Sequence, residues 1–379
     1  MKTPRDWVTR PLSQFVSLQR GFDLPTHARV PGSVPVLSSG GVNGSHNEAK
    51  VDGDNFVIGR ATNIGRPTWS SVPFWPLNTT LFVKDFLGNF PKFCFYWFLA
   101  TDLSGFDSGS VQPMLNRNYI ANIPVAIPSF VEQRRIAGVL GALDDKIESN
   151  QAVVTRAQQL IDEIAEQKAT DLPTVALSEM CSLSKSTWKP DASSNQTVHL
   201  FSLPAFDGGA VPEQAAVSSI KSNKTLMNRP GILVSRLNPR ISRMWWVETD
   251  ATPVSVCSPE FAYLTAGDMH GLACTWLAVR SPKFRGEIID RVTGTSGSHQ
   301  RVRPADLMTI GVPDYRSLAE HTQITVLTLL HLISTRRQQS VTLAELRDAL
   351  LPELMSGRMR VDEAGRLVSE ALDEEVADV

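Results

Sequence analysis

Two stretches place arginine and asparagine on loops that follow an apolar run. VIGRATNIGRPTW carries Arg60, Asn63 and Arg66, and ILVSRLNPRISRMWW carries Arg236, Asn238, Arg240 and Arg243. Arginine pairs bidentately with guanine and asparagine with adenine in the major groove. Interspersed glycine permits the close backbone approach such contacts need. Asn43, in LSSGGVNGSHN, sits in a similar turn-rich setting. Further on, DSGSVQPMLNRN offers Gln112, Asn116 and Arg117, and TGTSGSHQRVRP offers Gln300 and Arg301. Gly/Ser turns with amide and guanidinium groups suit phosphate and base-edge contacts. No GxxxxGK[ST] phosphate loop or HExxH zinc site occurs. The histidines, including His46, His199, His270 and His299 read in loops, lack metal-ligand spacing.

What must position these residues is written twice in the chain. PLSQFVSL begins at Pro11 and ALSEMCSL at Ala176, 165 positions later. PSFVEQRRIAGVLGALDDKIESN begins at Pro128 and PDYRSLAEHTQITVLTLLHLISTRRQQ at Pro313, each after a short extended run ending in proline. The order is therefore an LS motif, a variable body, a proline and a helix, and then the same again, an internal duplication with similar borders and divergent contents. Each body alternates short apolar runs with Gly, Asn, Asp and Pro turns, which predicts a mixed α/β domain. FPKFCFYWFLAT and GLACTWLAVR read as buried helices within the two bodies.

The helix after the first body is strictly periodic. Ile136, Leu140, Leu143, Ile147, Asn150, Val154, Ala157, Ile161 and Ile164 alternate spacings of four and three, the heptad seam of a coiled coil. The second helix, expected from about Leu318 to Met355, is less regular, with Ile324, Leu327, Leu330, Ile333, Val341, Leu346 and Leu350 forming its apolar face. Neither can bury its seam alone, and the simplest partner for each is the other, packed antiparallel. The expected fold class is α+β: two mixed α/β bodies at 1–128 and 171–312, separated by spacer helices at 129–170 and 313–360. The end of the chain, 361–379, carries a net charge of −6 and is expected to be a flexible acidic tail.

The near-neutral total of −2 hides a mildly basic body, +3 over 1–128 and +2 over 171–312. Arginine outnumbers lysine 16 to 9 across those two segments, and arginine favours planar bidentate contacts. Four widely spaced cysteines form no CxxC, which reads as buried thiols in a reducing compartment. No apolar run is long enough to span a membrane and no signal-peptide core opens the chain, so a cytoplasmic location is expected. On residues alone, three functions stay open: a DNA reader, a two-module helical scaffold that binds no nucleic acid, and a self-contained enzyme with dispersed carboxylates.

The duplicated LS motifs, PSFVEQRRIAGVLGALDDKIE after the first body, and LRDALLPELMSGRMRV closing the second helix resemble the specificity subunit of type I restriction–modification systems. VPFWPLNTTLFV and NRPGILVSR also resemble the recognition domains of that family. The resemblance implies that each body is a target recognition domain reading half of a bipartite, asymmetric sequence in double-stranded DNA. It implies that the helices space the bodies and dock two modification (methyltransferase) subunits, with restriction subunits joining the complex. S-adenosylmethionine, ATP and magnesium would act on those partners, with no cofactor, metal or catalytic residue in this chain. In keeping with this, the chain has no Asp-Pro-Pro-Tyr or Asn-Pro-Pro-Tyr motif. The second helix departs from the first in carrying Thr328, His331 and Thr335 where the first has Leu140, Leu143 and Ile147.

Overall fold

A computed structural model describes residues 6–106, 114–249, 252–292 and 300–377. In chain order the first part holds β1 (Val8–Pro11), β2 (Ser17–Arg20), β3 (Val34–Ser38), β4 (Gly41–His46), β5 (Asn55–Gly59), β6 (Pro67–Ser70), β7 (Trp75–Pro76) and β8 (Thr80–Asp85). Helices α1 (Pro91–Ala100) and α2 (Arg117–Ile120), strand β9 (Pro124–Ile127) and the 40-residue helix α3 (Phe130–Ala169) follow. The next part holds β10 (Thr174–Ala176), β11 (Ser182–Leu183), β12 (Thr187–Trp188), β13 (Thr197–Phe201), α4 (Leu203–Asp207), β14 (Glu213–Ala216) and β15 (Lys224–Met227). Then come β16 (Gly231–Ser235), β17 (Met244–Val247), β18 (Ser255–Cys257), β19 (Phe261–Thr265), α5 (Met269–Arg280), α6 (Pro282–Asp290), α7 (Pro304–Met308) and β20 (Gly311–Pro313). Helices α8 (Glu320–Met355) and α9 (Val361–Ala377) complete the chain. Two compact units result, one of residues 1–146 with 343–379 and one of residues 147–342.

Within unit 1 a four-stranded antiparallel sheet runs in the order β2-β8-β5-β6. Within unit 2 the order is β11-β19-β16-β17, again antiparallel throughout. Each strand of one sheet has its counterpart in the other, so the divergent bodies share one frame. The smaller sheets share a kernel too. In unit 1 β3 pairs antiparallel with β4 and parallel with β7. In unit 2 β13 does the same with β14 and β18, and β12 and β15 widen that sheet to five strands.

The repeated LS motif has a physical cause in each unit. Leu12 and Leu177 are 1% and 0% exposed. The Leu12 N–H donates to the Ile123 carbonyl, and the Leu177 N–H to that of Ile310, both at 2.9 Å. A single 3-10 turn follows each leucine. The strand before it pairs with the strand leading to a long helix, β1 with β9 and β10 with β20. The motif is thus a buckle that closes each body at its base.

The seam of α3 is buried as its spacing predicts. In unit 1 Ile136, Leu140 and Leu143 are buried; in unit 2 Asn150, Val154, Ala157 and Ile161 are. The unit 2 residues of α3 share a core with Val326, Leu330 and Ile333 of α8. Tyr315, just before α8, donates its hydroxyl to the Ala165 carbonyl near the end of α3 at 2.6 Å. In unit 1 Arg347 of α8 bonds Asp144 of α3 at 2.9 Å, and that carboxylate also accepts from Tyr96 of α1 at 2.5 Å. The start of α3 thus meets the end of α8 in unit 1, and its end meets the start of α8 in unit 2, an antiparallel sense.

The face of α8 differs in part from expectation. Ile324 is 48% exposed, whereas Val326, Leu343 and Leu354 are buried beside Leu330, Ile333 and Leu350. The segment 361–379, expected to be a flexible acidic tail, instead contains helix α9. Ala364 and Val368 are buried in unit 1 while the acidic side chains Asp362, Glu363 and Glu370 stay exposed. Charge density alone suggested disorder, but Val361, Ala364 and Val368 recur at helical spacing and give the segment a face to bury. His46 closes β4, His199 lies in β13 and His270 in α5, not in loops; His299 lies outside the described residues. All four cysteines are buried and free, and burial pushes the Cys181 and Cys257 thiols up to about 12.

Candidate nucleic-acid interface

The two sequence stretches that carry Arg and Asn emerge at the same place in each unit. VIGRATNIGR is the turn from β5 to β6, and LVSRLNPRISR the turn from β16 to β17. Asn63 and Asn238 both adopt left-handed backbone, with φ of 51° and 47°, a conformation asparagine tolerates better than most residues. In each case the asparagine carbonyl closes the turn, accepting from the Arg66 N–H at 3.0 Å or the Ile241 N–H at 2.8 Å. Gly59 is required in the first turn, because a Cβ there would lie 2.3 Å from the Asn63 carbonyl oxygen.

Arg60 and Arg236 behave identically, and as struts. Arg60 donates from Nε to the Leu115 carbonyl at 3.3 Å and from Nη1 to the Asn78 carbonyl at 2.9 Å. Arg236 donates from Nε to Val302 at 3.1 Å and from Nη1 to Pro259 at 2.9 Å. The bridged residue answers through its own N–H, Leu115 to Arg60 at 2.9 Å and Val302 to Arg236 at 3.0 Å. Each arginine thus ties its turn to the chain returning toward the long helix. Burial lowers the pKa of both guanidinium groups, and Arg20 adds to the effect on Arg60.

The other sequence-picked residues divide by how they are engaged. Arg243 forms a two-pronged ion pair with Asp207 at 2.7 and 2.8 Å, and Arg301 one with Glu260 at 3.0 and 2.8 Å. The Arg301 hydrogen bonds hold the Glu260 carboxyl below the usual range. Asn63 turns its amide to the Ser39 carbonyl at 3.1 Å, and Asn43 accepts from Arg29 on exposed β4. Gln300 receives the Asn238 N–H on its carbonyl at 2.9 Å. Arg66 is exposed at the foot of the first turn, its carbonyl accepting from the Gly59 N–H at 3.0 Å, and Arg240 is exposed within the second, free of hydrogen bonds and ion pairs among the described residues. Gln112 lies outside the described residues.

Three of the candidates meet in space. Arg60, Asn116 and Arg117 line one cleft of unit 1, with Gln19, Arg20 and Asn118. Asn116 caps α2, its side chain accepting from the Asn118 N–H at 3.0 Å. Arg117 donates to the Leu18 carbonyl of β2 at 3.1 Å. Gln19 and Arg20 directly follow the border motif PLSQFVSL and carry no local pattern of their own that marks a site. In unit 2, Arg240 and Arg243 line a smaller crevice with Ile241 and Arg285. Among the described residues no group of His, Cys, Asp and Glu is placed to hold a metal ion, and no helix is long and apolar enough to cross a membrane.

A polar, arginine-lined cleft on a duplicated frame is suited to an anionic polymer, and the comparisons bear on which one. Residues 4–157 match the family model of the type I restriction modification DNA specificity domain. That similarity covers residues 4–157. A likeness of fold extends over the remaining residues as well. The S subunit of the type I restriction–modification system from M. genitalium matches with a TM-score of 0.62, over 93% of this chain and 98% of that one, at 14% identity. The HsdS subunit from Thermoanaerobacter tengcongensis is 16% identical over 97% of this chain and 98% of its own, with a TM-score of 0.31. No curated protein matches the chain by sequence. The α+β fold with paired long helices is thus shared with the solved S subunit from M. genitalium.

Proposed function

We propose that this chain is the non-catalytic, DNA-reading subunit of a type I restriction–modification complex. Each unit reads one half of a bipartite, asymmetric target in double-stranded DNA. The chain docks two modification subunits and, through the complex, restriction subunits. S-adenosylmethionine, ATP and magnesium chemistry resides on those partners. The observation that carries this reading is one frame built twice with unlike contents. The two four-stranded sheets share order and strut, while the turns they present differ (ATNIG against LNPRIS) and the second sheets have three strands and five. A scaffold without nucleic acid gives no reason to set exposed Arg20 beside exposed Arg117 on one cleft. Exposed Phe130 and Val131 at the start of α3 offer apolar surface to a partner.

Affinity for DNA comes mainly from neutralised phosphates, and the two bodies are only mildly basic, +3 and +2. The purified chain is therefore expected to bind DNA weakly at physiological salt, and tightly once methyltransferase subunits close around the duplex. Titration of labelled duplex with the chain, the methyltransferase subunits and their mixture checks this. Tight sequence-specific binding by the chain alone contradicts the division of labour. A mixture no tighter than the methyltransferase subunits alone contradicts the DNA-reading role.

A further inference from the structure

Both copies of the border motif run on to a cation. PLSQFVSLQR ends in Arg20 and ALSEMCSLSK in Lys185, 165 positions apart like the motifs themselves. Sheet pairing makes the two positions equivalent. Leu18 of β2 lies opposite Val83 of β8, Leu183 of β11 lies opposite Leu264 of β19, and the cation follows two residues later in each. A second pair of cations is matched through the struts. Arg117 comes two residues after Leu115, which Arg60 holds, and Arg303 one residue after Val302, which Arg236 holds. Arg117 opens α2 and Arg303 caps α7, the short helices that precede β9 and β20.

In unit 1 these cations share the cleft already described, and their charges are poorly compensated. Among the described residues Arg20 makes no side-chain hydrogen bond or ion pair, and the bond recorded for Arg117 is to a backbone carbonyl. Asp23, the one acid of the cleft lining, accepts from the Asn78 amide and stands against three arginines in that lining. Like charges held together disfavour the folded state unless a ligand neutralises them. Where two bodies diverge in their turns but keep cations at matched framework positions, the kept feature serves what both halves of the target share. In a duplex that is the phosphate backbone, which positions a protein without carrying sequence information.

We propose that Arg20 with Arg117 in unit 1, and Lys185 with Arg303 in unit 2, grip backbone phosphates of the duplex and supply affinity that is blind to base sequence. The proposal rests on the DNA-reading function above. Base discrimination is left to the two turns, where Arg66 and Arg240 stand exposed.

The test uses the full chain on a duplex of arbitrary sequence, titrated across a salt series, and repeats it on the target duplex with methyltransferase subunits present. Arg20→Gln with Lys185→Gln removes two exposed charges, and thermal melts matching the wild type confirm the fold. Each lost phosphate contact should flatten the slope of log affinity against log salt by about 0.9, so the double variant by about 1.8. The loss should be equal on arbitrary and target sequences. Wild-type binding with an unchanged slope in the variant overturns the proposal while leaving DNA reading intact. A loss confined to one half-site also overturns it, by making these side chains base readers. Failure of the wild-type chain to bind any duplex, with or without methyltransferase subunits, removes both the proposal and the function beneath it.

Discussion

Replacing Arg60 by Ala is expected to destabilise unit 1 before it alters any DNA preference. The guanidinium joins the β5–β6 turn to Leu115 and to Asn78 through two donors on one rigid plane. A hydrogen bond from a charged donor contributes about 1.5–3 kcal/mol, and an unpartnered buried carbonyl costs about 1–3 kcal/mol. The group is only half-buried, so water recovers part of each loss, and the net cost should be about 2–4 kcal/mol. Arg60→Lys should recover less than half, since a lysine has one nitrogen and no fork to reach both carbonyls. Arg236→Ala should act alike in unit 2 through Val302 and Pro259. Urea unfolding followed by tryptophan fluorescence reads the change. Unchanged stability together with a changed base preference would show that these side chains face the duplex instead.

Asp162→Ala should cost unit 2 a similar amount or more. This α3 carboxylate accepts from Arg280 Nε at 2.7 Å and from Nη2 of the same side chain, and from Arg285 at 3.2 Å. Arg337 of α8 is a further, half-buried cation, and burial first and Arg280 second lower its pKa. Removing the acid leaves the Arg280 and Arg285 guanidinium groups without the carboxylate they share. Breaking a buried pair on one side costs about 3–5 kcal/mol, and partial exposure here places the expected loss near 3 kcal/mol. For a unit of this size that is roughly 6–12 °C in the melting midpoint. Asp162→Asn, which keeps an acceptor but no charge, should fall between. A midpoint within a degree or so of wild type would mean that solvent already screens these arginines.

The parts of the fold legible in the sequence are those set by local pattern. The heptad seam of α3 predicts which residues are buried, because a single helix period fixes which face they share. The LS motifs and the proline-ended strands mark the borders of each body, because a buried leucine and a paired strand restrict residue type there. The shared strand order inside the bodies was not legible. Sheet order is decided by backbone pairing, which sequences as unlike as NFVIG and GILVS satisfy equally. The α8 seam was obscured because Arg337 and Arg347 occupy inward positions, held among α3 and body residues where apolar side chains were sought. Among the site residues, side-chain type marks the two matched turns but does not show which bonds the side chains make within their own unit. Arg60, Arg236, Arg243 and Arg301 each spend their donors on carbonyls or carboxylates of their own unit. Arg20, just past a border motif whose repetition has a structural cause, stands exposed on the cleft.

The most direct measurement of DNA reading by two unlike units is a map of methylated adenines in a genome carrying this chain and its methyltransferase subunits, against the same strain lacking the chain. The expected result is one motif of two dissimilar half-sites separated by a fixed unread gap, gained only with the chain. An Arg66→Ala variant should relax one half-site and Arg240→Ala the other, each with the opposite half and the gap retained. A palindromic or continuous motif, or a methylation pattern indifferent to the chain, would contradict the proposed function.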